Sequence, residues 1–242
     1  MDAIWIIVVL SVLGPILGSL IGVLGKPNEK FMFNMLAFAA GVMISISFLE
    51  LIPEAIAISS VLIAGIGLLF GALIIYGLDL AIPHLHPELC GKNKDCRMKK
   101  ASLYLLFGIF LHNFPEGMAI GIGAVSGTKL GLIVAIAIAI QNVPEGICTS
   151  APCYYCDKKK LKSFLLSAAT AIPILVGFLL TYYVFKNISF TWLGLITSMI
   201  AGLMIYISAD ELIPSSSKKV TDHRTIFYLI AGILVVVFLG LL

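Results

Sequence analysis

Apolar runs of about the length needed to cross a bilayer follow one another along the whole of this chain, and few folds can accommodate that. Hydrophobic residues make up 60% of the 242, charged residues only 12%, and the mean hydropathy is +1.08. A soluble domain of ordinary composition is about half apolar and a quarter charged. The chain therefore reads as all-α, a polytopic membrane protein in which every backbone polar group is satisfied within its own helix. The net charge of +3 is small and the basic residues sit in a few loops, which points to membrane orientation and excludes a nucleic-acid partner. The first apolar run follows Met1-Asp2 with no positive n-region and no small-residue cleavage pattern, so it reads as a retained span.

At about 20 apolar residues per span, transmembrane helices are expected over 3–24, 31–58, 60–82, 101–125, 128–150, 163–185, 190–213 and 224–242, one transmembrane domain over 1–242. Between the second and third, only Pro53-Glu54 and Ser59-Ser60 offer a turn. Charge tests the division. With the N-terminus outside, the loops after the first, third, fifth and seventh helices face the cytoplasm. They hold Lys26 and Lys30; Lys92, Lys94, Arg97, Lys99 and Lys100; Lys158, Lys159, Lys160 and Lys162; and Lys218, Lys219 and Arg224. Only Lys129 and Lys186 fall on the other face. The positive-inside rule thus selects eight helices with both termini outside, in the plasma membrane.

Two segments deep in apolar runs are nearly the same: His112-Asn113-Phe114-Pro115-Glu116-Gly117 and Gln141-Asn142-Val143-Pro144-Glu145-Gly146. A carboxylate at the bilayer centre costs about 2.5–3.5 kcal/mol on the insertion scale, so each marks a functional site. A second echo joins Glu50-Leu51-Ile52-Pro53-Glu54 in the second helix to Glu211-Leu212-Ile213-Pro214 in the seventh. The paired helices run in opposite directions, which is the signature of an inverted repeat with its substrate site at the midplane. Chance matching of short proline-containing strings is the competing account.

Helical spacing puts His112 with Glu116, and Gln141 with Glu145, on one face each. Asn113 and Asn142 stand one position on. Pro115 and Pro144 free the carbonyls of Leu111 and Ile140, and Gly117 and Gly146 allow close helix approach. One imidazole, two carboxylates and several amide oxygens suit Zn(II), Fe(II), Mn(II) or Co(II) and lack the sulfur that favours Cu(I).

These strings resemble the fourth and fifth helices of the ZIP family of divalent-metal transporters. The Glu-Leu-Ile-Pro strings, the eight spans and the outside termini match that family too, so the resemblance covers nearly the whole chain. It implies that His112, Glu116, Gln141 and Glu145 form the main transport site, with Asn113, Asn142 and the two glutamates forming an adjacent one, and that Met43 caps the main site. Two departures stand out. Gln141 replaces a histidine frequent in the family, which implies weaker zinc binding or broader selectivity. Ile172-Pro173 replaces a Glu-Pro pair, removing a carboxylate from the adjacent site.

Glu50 and Glu54 toward the outer end of the second helix, and Asp210 and Glu211 toward the inner end of the seventh, read as entrance and exit carboxylates, or as interfacial residues that snorkel or cap. The cytoplasmic loop 83–100 contains His84, His86, Cys90 and Cys96, a set that reads as a metal-binding loop or as solvated side chains. Cys148, Cys153 and Cys156 are expected in the loop after the fifth helix as reduced thiols. Gly65, Gly67 and Gly71 suit close packing within one subunit or between two in a homodimer.

The function these features predict is transport of a divalent metal, zinc with iron, manganese, cobalt or cadmium, into the cytoplasm by alternating access. The metal is substrate, and no enzyme activity is expected. An intramembrane metallohydrolase is the alternative, but the chain has no His-Glu-x-x-His string. A carrier of organic ions or protons is the other.

Overall fold

The computed structural model describes residues 2–25, 27–81, 113–217 and 223–241, and every regular element among them is helical. In chain order these are α1 (Asp2–Gly25), α2 (Glu29–Ile46), α3 (Ile52–Ile58), α4 (Val61–Ala81), α5 (113–126), α6 (Thr128–Asp157), α7 (Lys160–Ala168), α8 (Ala171–Val184), α9 (Phe190–Ile207), α10 (Ile213–Ser217) and α11 (Arg224–Leu239). Six stretches among the described residues are long and apolar enough to cross a membrane: Ile6–Gly25, Lys30–Ile58, Val61–Leu78, Thr128–Tyr155, Lys160–Val184 and Phe190–Ser216. α11 is a shorter apolar helix of 16 residues. The chain is a multi-pass, all-helical membrane protein.

The uncertain break after the second apolar run falls at Ser59, whose φ of −132° and ψ of −95° end α3. Its hydroxyl returns to the Ala55 carbonyl at 2.6 Å. α2 begins at Asn28, whose side chain accepts from the Phe31 N–H at 2.8 Å, the usual way of satisfying an orphan donor of a first turn. α6 continues to Asp157 instead of stopping at Ser150, closed by Lys158 in the left-handed region at φ 54°. Cys148, Cys153 and Cys156 thus all fall within α6 and not in the expected loop, and Cys148 and Cys153 are buried. The sixth apolar run is two helices. Pro173 has no N–H for the Ala169 carbonyl, which accepts from Ile172 instead at 3.0 Å, and the chain turns at Ala169–Thr170 between α7 and α8.

Between α2 and α3 lies a π-helical turn, Ser47–Leu51, and between α9 and α10 a second, Ser208–Leu212. In each, the residue before a proline donates its N–H five positions back, Ile52 to Ser47 and Ile213 to Ser208. The extra residue relieves the clash between the proline ring and the preceding turn. Each opening serine donates to a methionine carbonyl four back, Ser47 to Met43 at 2.9 Å and Ser208 to Met204 at 2.8 Å. The echo between these helices is longer than the Glu-Leu-Ile-Pro string. Ala40, Gly41, Met43, Ile44, Ile46 and Ser47 recur as Ala201, Gly202, Met204, Ile205, Ile207 and Ser208.

Glycines set the closest helix pairs. A Cβ at Gly14, Gly18 or Gly22 of α1 would strike Ala139, Val143 or Ser150 of α6 in turn. One at Gly117 would strike the Ile174 carbonyl of α8, and one at Gly41 the Leu229 carbonyl of α11. Gly67 and Gly71 meet Ser198 and Met199 of α9, so two of the three glycines expected to serve either intra- or intersubunit packing are used within the subunit, while Gly65 faces open space. In all four pairs the contacts advance together along both helices, so the partners run in the same direction. α1 also packs on α7 and α8, while α3 and α4 pack on α9 and α10 and α11 on α2. Between these two groups, α6 packs against α2.

Candidate functional site

α5 and α6 bring Asn113, Glu116, Gln141, Asn142 and Glu145 into the interior, where all five are almost completely buried. Gln141 sits on α6 four residues, about one helical turn, before Glu145 on the same face, and Glu116 lies opposite on α5. The Gln141 Nε2 donates to Glu116 Oε1, a bond that ties the two repeated motifs together. Asn113 Nδ2 donates to the Thr170 carbonyl at 2.7 Å. The break between α7 and α8 thus supplies a backbone oxygen to the cluster. Ile172, at the position of the missing carboxylate, is 55% exposed, whereas Thr170, Ala171 and Pro173 around it are buried.

Four polar atoms here have no hydrogen-bond partner among the described residues: Asn113 Oδ1, Gln141 Oε1 and both amide atoms of Asn142. Buried amides normally find partners, because leaving one unpaired costs about 1–3 kcal/mol. Three of these four are oxygen acceptors beside two carboxylates, a donor set that a divalent cation, or water around one, satisfies.

His112 lies outside the described residues, as do His84, His86, Cys90 and Cys96. Among the described residues no group of three or more His, Cys, Asp and Glu side chains stands together in a metal-binding arrangement. Met43 is fully buried in the core cluster that includes Ile120 and Ile138. Glu50 is half-buried in the first π turn, near Gly240 just past the end of α11 and within Coulombic reach of Lys129 and Glu54. Asp210 and Glu211 occupy the second π turn, where Asp210 borders a cleft of about 360 Å³ with Leu68, Ala72, Gly202 and Tyr206.

The sequence reading missed a second polar feature behind the site. Thr149, one turn after Glu145, donates to the Glu145 and Gly146 carbonyls, both at 3.1 Å, and meets Ser167 Oγ of α7 at 2.5 Å. Ser19 of α1 donates to Ser167 at 2.7 Å. These hydroxyls bind α1, α6 and α7 into one unit. Their positions on three helices hide them from any single-helix pattern.

Membrane-length helices that bury carboxylates and amides where two proline-interrupted helices meet define a membrane transport protein with an internal polar site. The sequence profile described as "ZIP Zinc transporter" matches residues 1–103 and 84–240. Zinc transporter ZupT of Escherichia coli O7:K1 is 32% identical over 241 residues, covering 96% of this chain and 94% of its own. Zinc transporter ZupT of Shigella flexneri serotype 5b matches with the same identity and coverage. The chain belongs to the ZIP zinc transporter family, whose members are transporters and not enzymes, and the metallohydrolase alternative falls with that.

Proposed function

We propose that this protein carries zinc, and with it iron, manganese, cobalt or cadmium, from outside into the cytoplasm across the plasma membrane, holding the ion at a midplane site on α5 and α6. The observation that carries the reading is the fully buried Glu116, Gln141 and Glu145 set, with amide oxygens left for a cation. The relatives named for zinc transport support the choice of metal. His112 is assigned to the same site by helical spacing, one turn before Glu116. Its imidazole supplies the nitrogen ligand that favours zinc over manganese. Glu116 and Glu145 neutralise the dehydrated ion. Asn113, Asn142 and the Thr170 carbonyl offer oxygens for a weaker neighbouring position.

The topology proposed is eight spans with both termini outside. The same-direction helix pairs support it, since two spans can run the same way only if an odd number of spans lies between them. With α2–α3, α7–α8 and α9–α10 each counted as one span, that condition holds for α1 with α6, α2 with α11, α4 with α9 and α5 with α8. The pairs also exchange among themselves when the first three spans are matched to the last three and α5 to α6, as an inverted repeat requires. Matching π turns in α2–α3 and α9–α10 add to that support. Alternating access then follows as movement of the α1–α5–α6–α7–α8 group against the remainder, with Glu50 and Glu54 attracting the ion outside and Asp210 and Glu211 receiving it inside.

The test is influx into liposomes loaded with a zinc-sensitive dye, comparing the parent with Glu116→Ala and Glu145→Ala. Both variants should remain folded and lose uptake. Undiminished uptake by Glu116→Ala would sink the mechanism, and absence of uptake of any metal by folded parent protein would leave a carrier of organic ions or protons as the reading.

A further inference from the structure

Each of the two helix groups is tied together internally. Within the first, the hydroxyls of Ser19, Thr149 and Ser167 link α1, α6 and α7. Within the second, Asn34 Oδ1 accepts from Thr225 between α2 and α11 at 3.2 Å, and Gly41 and Gly232 let these helices touch backbone to backbone. α6 meets α2 along a seam between the groups, and its middle is apolar, with Leu36, Ala40 and Met43 in one core cluster with Val134, Ala137 and Ile138.

Among the hydrogen bonds that cross the seam are two from the last third of α6 to the start of α2. Tyr155 Oη donates to the Pro27 carbonyl at 2.7 Å, and Cys148 Sγ donates to the Met32 carbonyl at 3.3 Å. The acceptors are available for definite reasons. The N–H of Phe31, which would otherwise serve Pro27, is taken by the Asn28 side chain. Met32 offers a second lone pair beside its helical bond. The Tyr155 ring is itself held, with Lys158 Nζ 5.9 Å from its centroid and the Tyr154 ring beside it.

Both donors lie along the same side of α6 as the site. Gln141, Glu145, Cys148 and Tyr155 follow one another at intervals of four, three and seven residues, a single stripe on a helix. From Glu145 to Tyr155 the helix advances about 15 Å, the half-thickness of the hydrocarbon core. An ion leaving Glu145 inward along the α2–α6 seam therefore meets Cys148 first and Tyr155 last.

We propose that Tyr155 and Cys148 are the inner gate of the transport pathway, the side chains whose hydrogen bonds to the start of α2 hold the cytoplasmic end of the α2–α6 seam shut. This rests on the transport reading above. In the closed arrangement the Cys148 thiol is buried against α2. When the groups part, the two bonds break, the seam hydrates from the inside, and the thiol faces the departing ion.

The decisive measurement is the rate at which a hydrophilic maleimide, applied from the cytoplasmic side of reconstituted protein, alkylates Cys148, with Cys90, Cys96, Cys153 and Cys156 replaced by serine. Loss of one hydrogen bond of ordinary net strength shifts an opening equilibrium about two- to tenfold, so Tyr155→Phe should accelerate alkylation by that factor. An unchanged rate in folded Tyr155→Phe overturns the proposal. As a second arm, Pro27→Cys with Tyr155→Cys, in a background whose native cysteines are serine, is bridged by a short bifunctional methanethiosulfonate. Zinc influx should stop and return on reduction, whereas full influx through the bridged protein also overturns the gate. The alkylation rate needs no transported metal, so a parent without zinc influx would reject the transport reading while the gate is still read independently.

Discussion

The side-chain amide of Gln141 on α6 donates to the carboxylate of Glu116 on α5, and this bond joins the two repeated motifs at the centre of the site. It also occupies the position where many family members supply an imidazole. Gln141→Ala would leave a buried carboxylate without that donor, at a cost of about 1–3 kcal/mol, visible as a lower melting temperature without metal. Gln141→His replaces a weak amide oxygen by a nitrogen ligand. It should lower the zinc concentration for half-maximal uptake and raise the preference for zinc over manganese, read from competitive uptake of the two ions.

Zinc itself should stabilise the folded protein. A ligand at a hundred times its dissociation constant adds about 2.7 kcal/mol if it binds only the folded state. Thermal unfolding in detergent is expected to shift upward with micromolar zinc in the parent and to stay put in Glu145→Ala. A shift of equal size in Glu145→Ala would place the bound ion elsewhere.

How far the sequence exposes this site depends on whether a residue's partner lies in its own helix. Glu116, Gln141 and Glu145 declare themselves, because carboxylates in apolar runs are costly and the two motifs repeat. The Ser59 break and the paired acidic turns are legible for similar reasons, each marked by a local string. The Thr170 carbonyl is not, since its role depends on where a break in one helix lies against Asn113 on another. The π turns are hidden because proline announces a disturbed helix without saying how the extra residue is absorbed. Cys153 and Cys156 read as loop residues because the apolar run weakens after Ser150, yet α6 continues to Asp157, packed against α1 and α2.

The glycine contacts separate two kinds of small residue that look identical in the sequence. Gly18→Leu would drive a side chain into the Val143 carbonyl and force α1 away from α6, whereas Gly65 has open space where a Cβ would stand. Overpacking costs about 1–3 kcal/mol, so Gly18→Leu should lose monodispersity on heating in size-exclusion chromatography. Gly65→Ala should match the parent there. A destabilised Gly65→Ala would show instead that another copy of the chain covers that face of α4.

The matched π turns allow the site and the motion to be perturbed separately. Each turn accommodates a proline, Pro53 or Pro214, and offsets all later residues of its helix by one position relative to a regular α-helix. In Pro53→Ala the N–H returns and the turn can relax to α-helical geometry, rotating Glu54 and the rest of α3 by about 100° relative to α2. Pro214→Ala would do the same to α10. Both prolines lie on elements other than α5 and α6, so zinc-induced thermal stabilisation should survive in both variants while uptake falls. If uptake is unaffected in both, the π turns serve packing alone; if zinc stabilisation is lost as well, the turns support the site directly and the separation between the two helix groups is not as drawn.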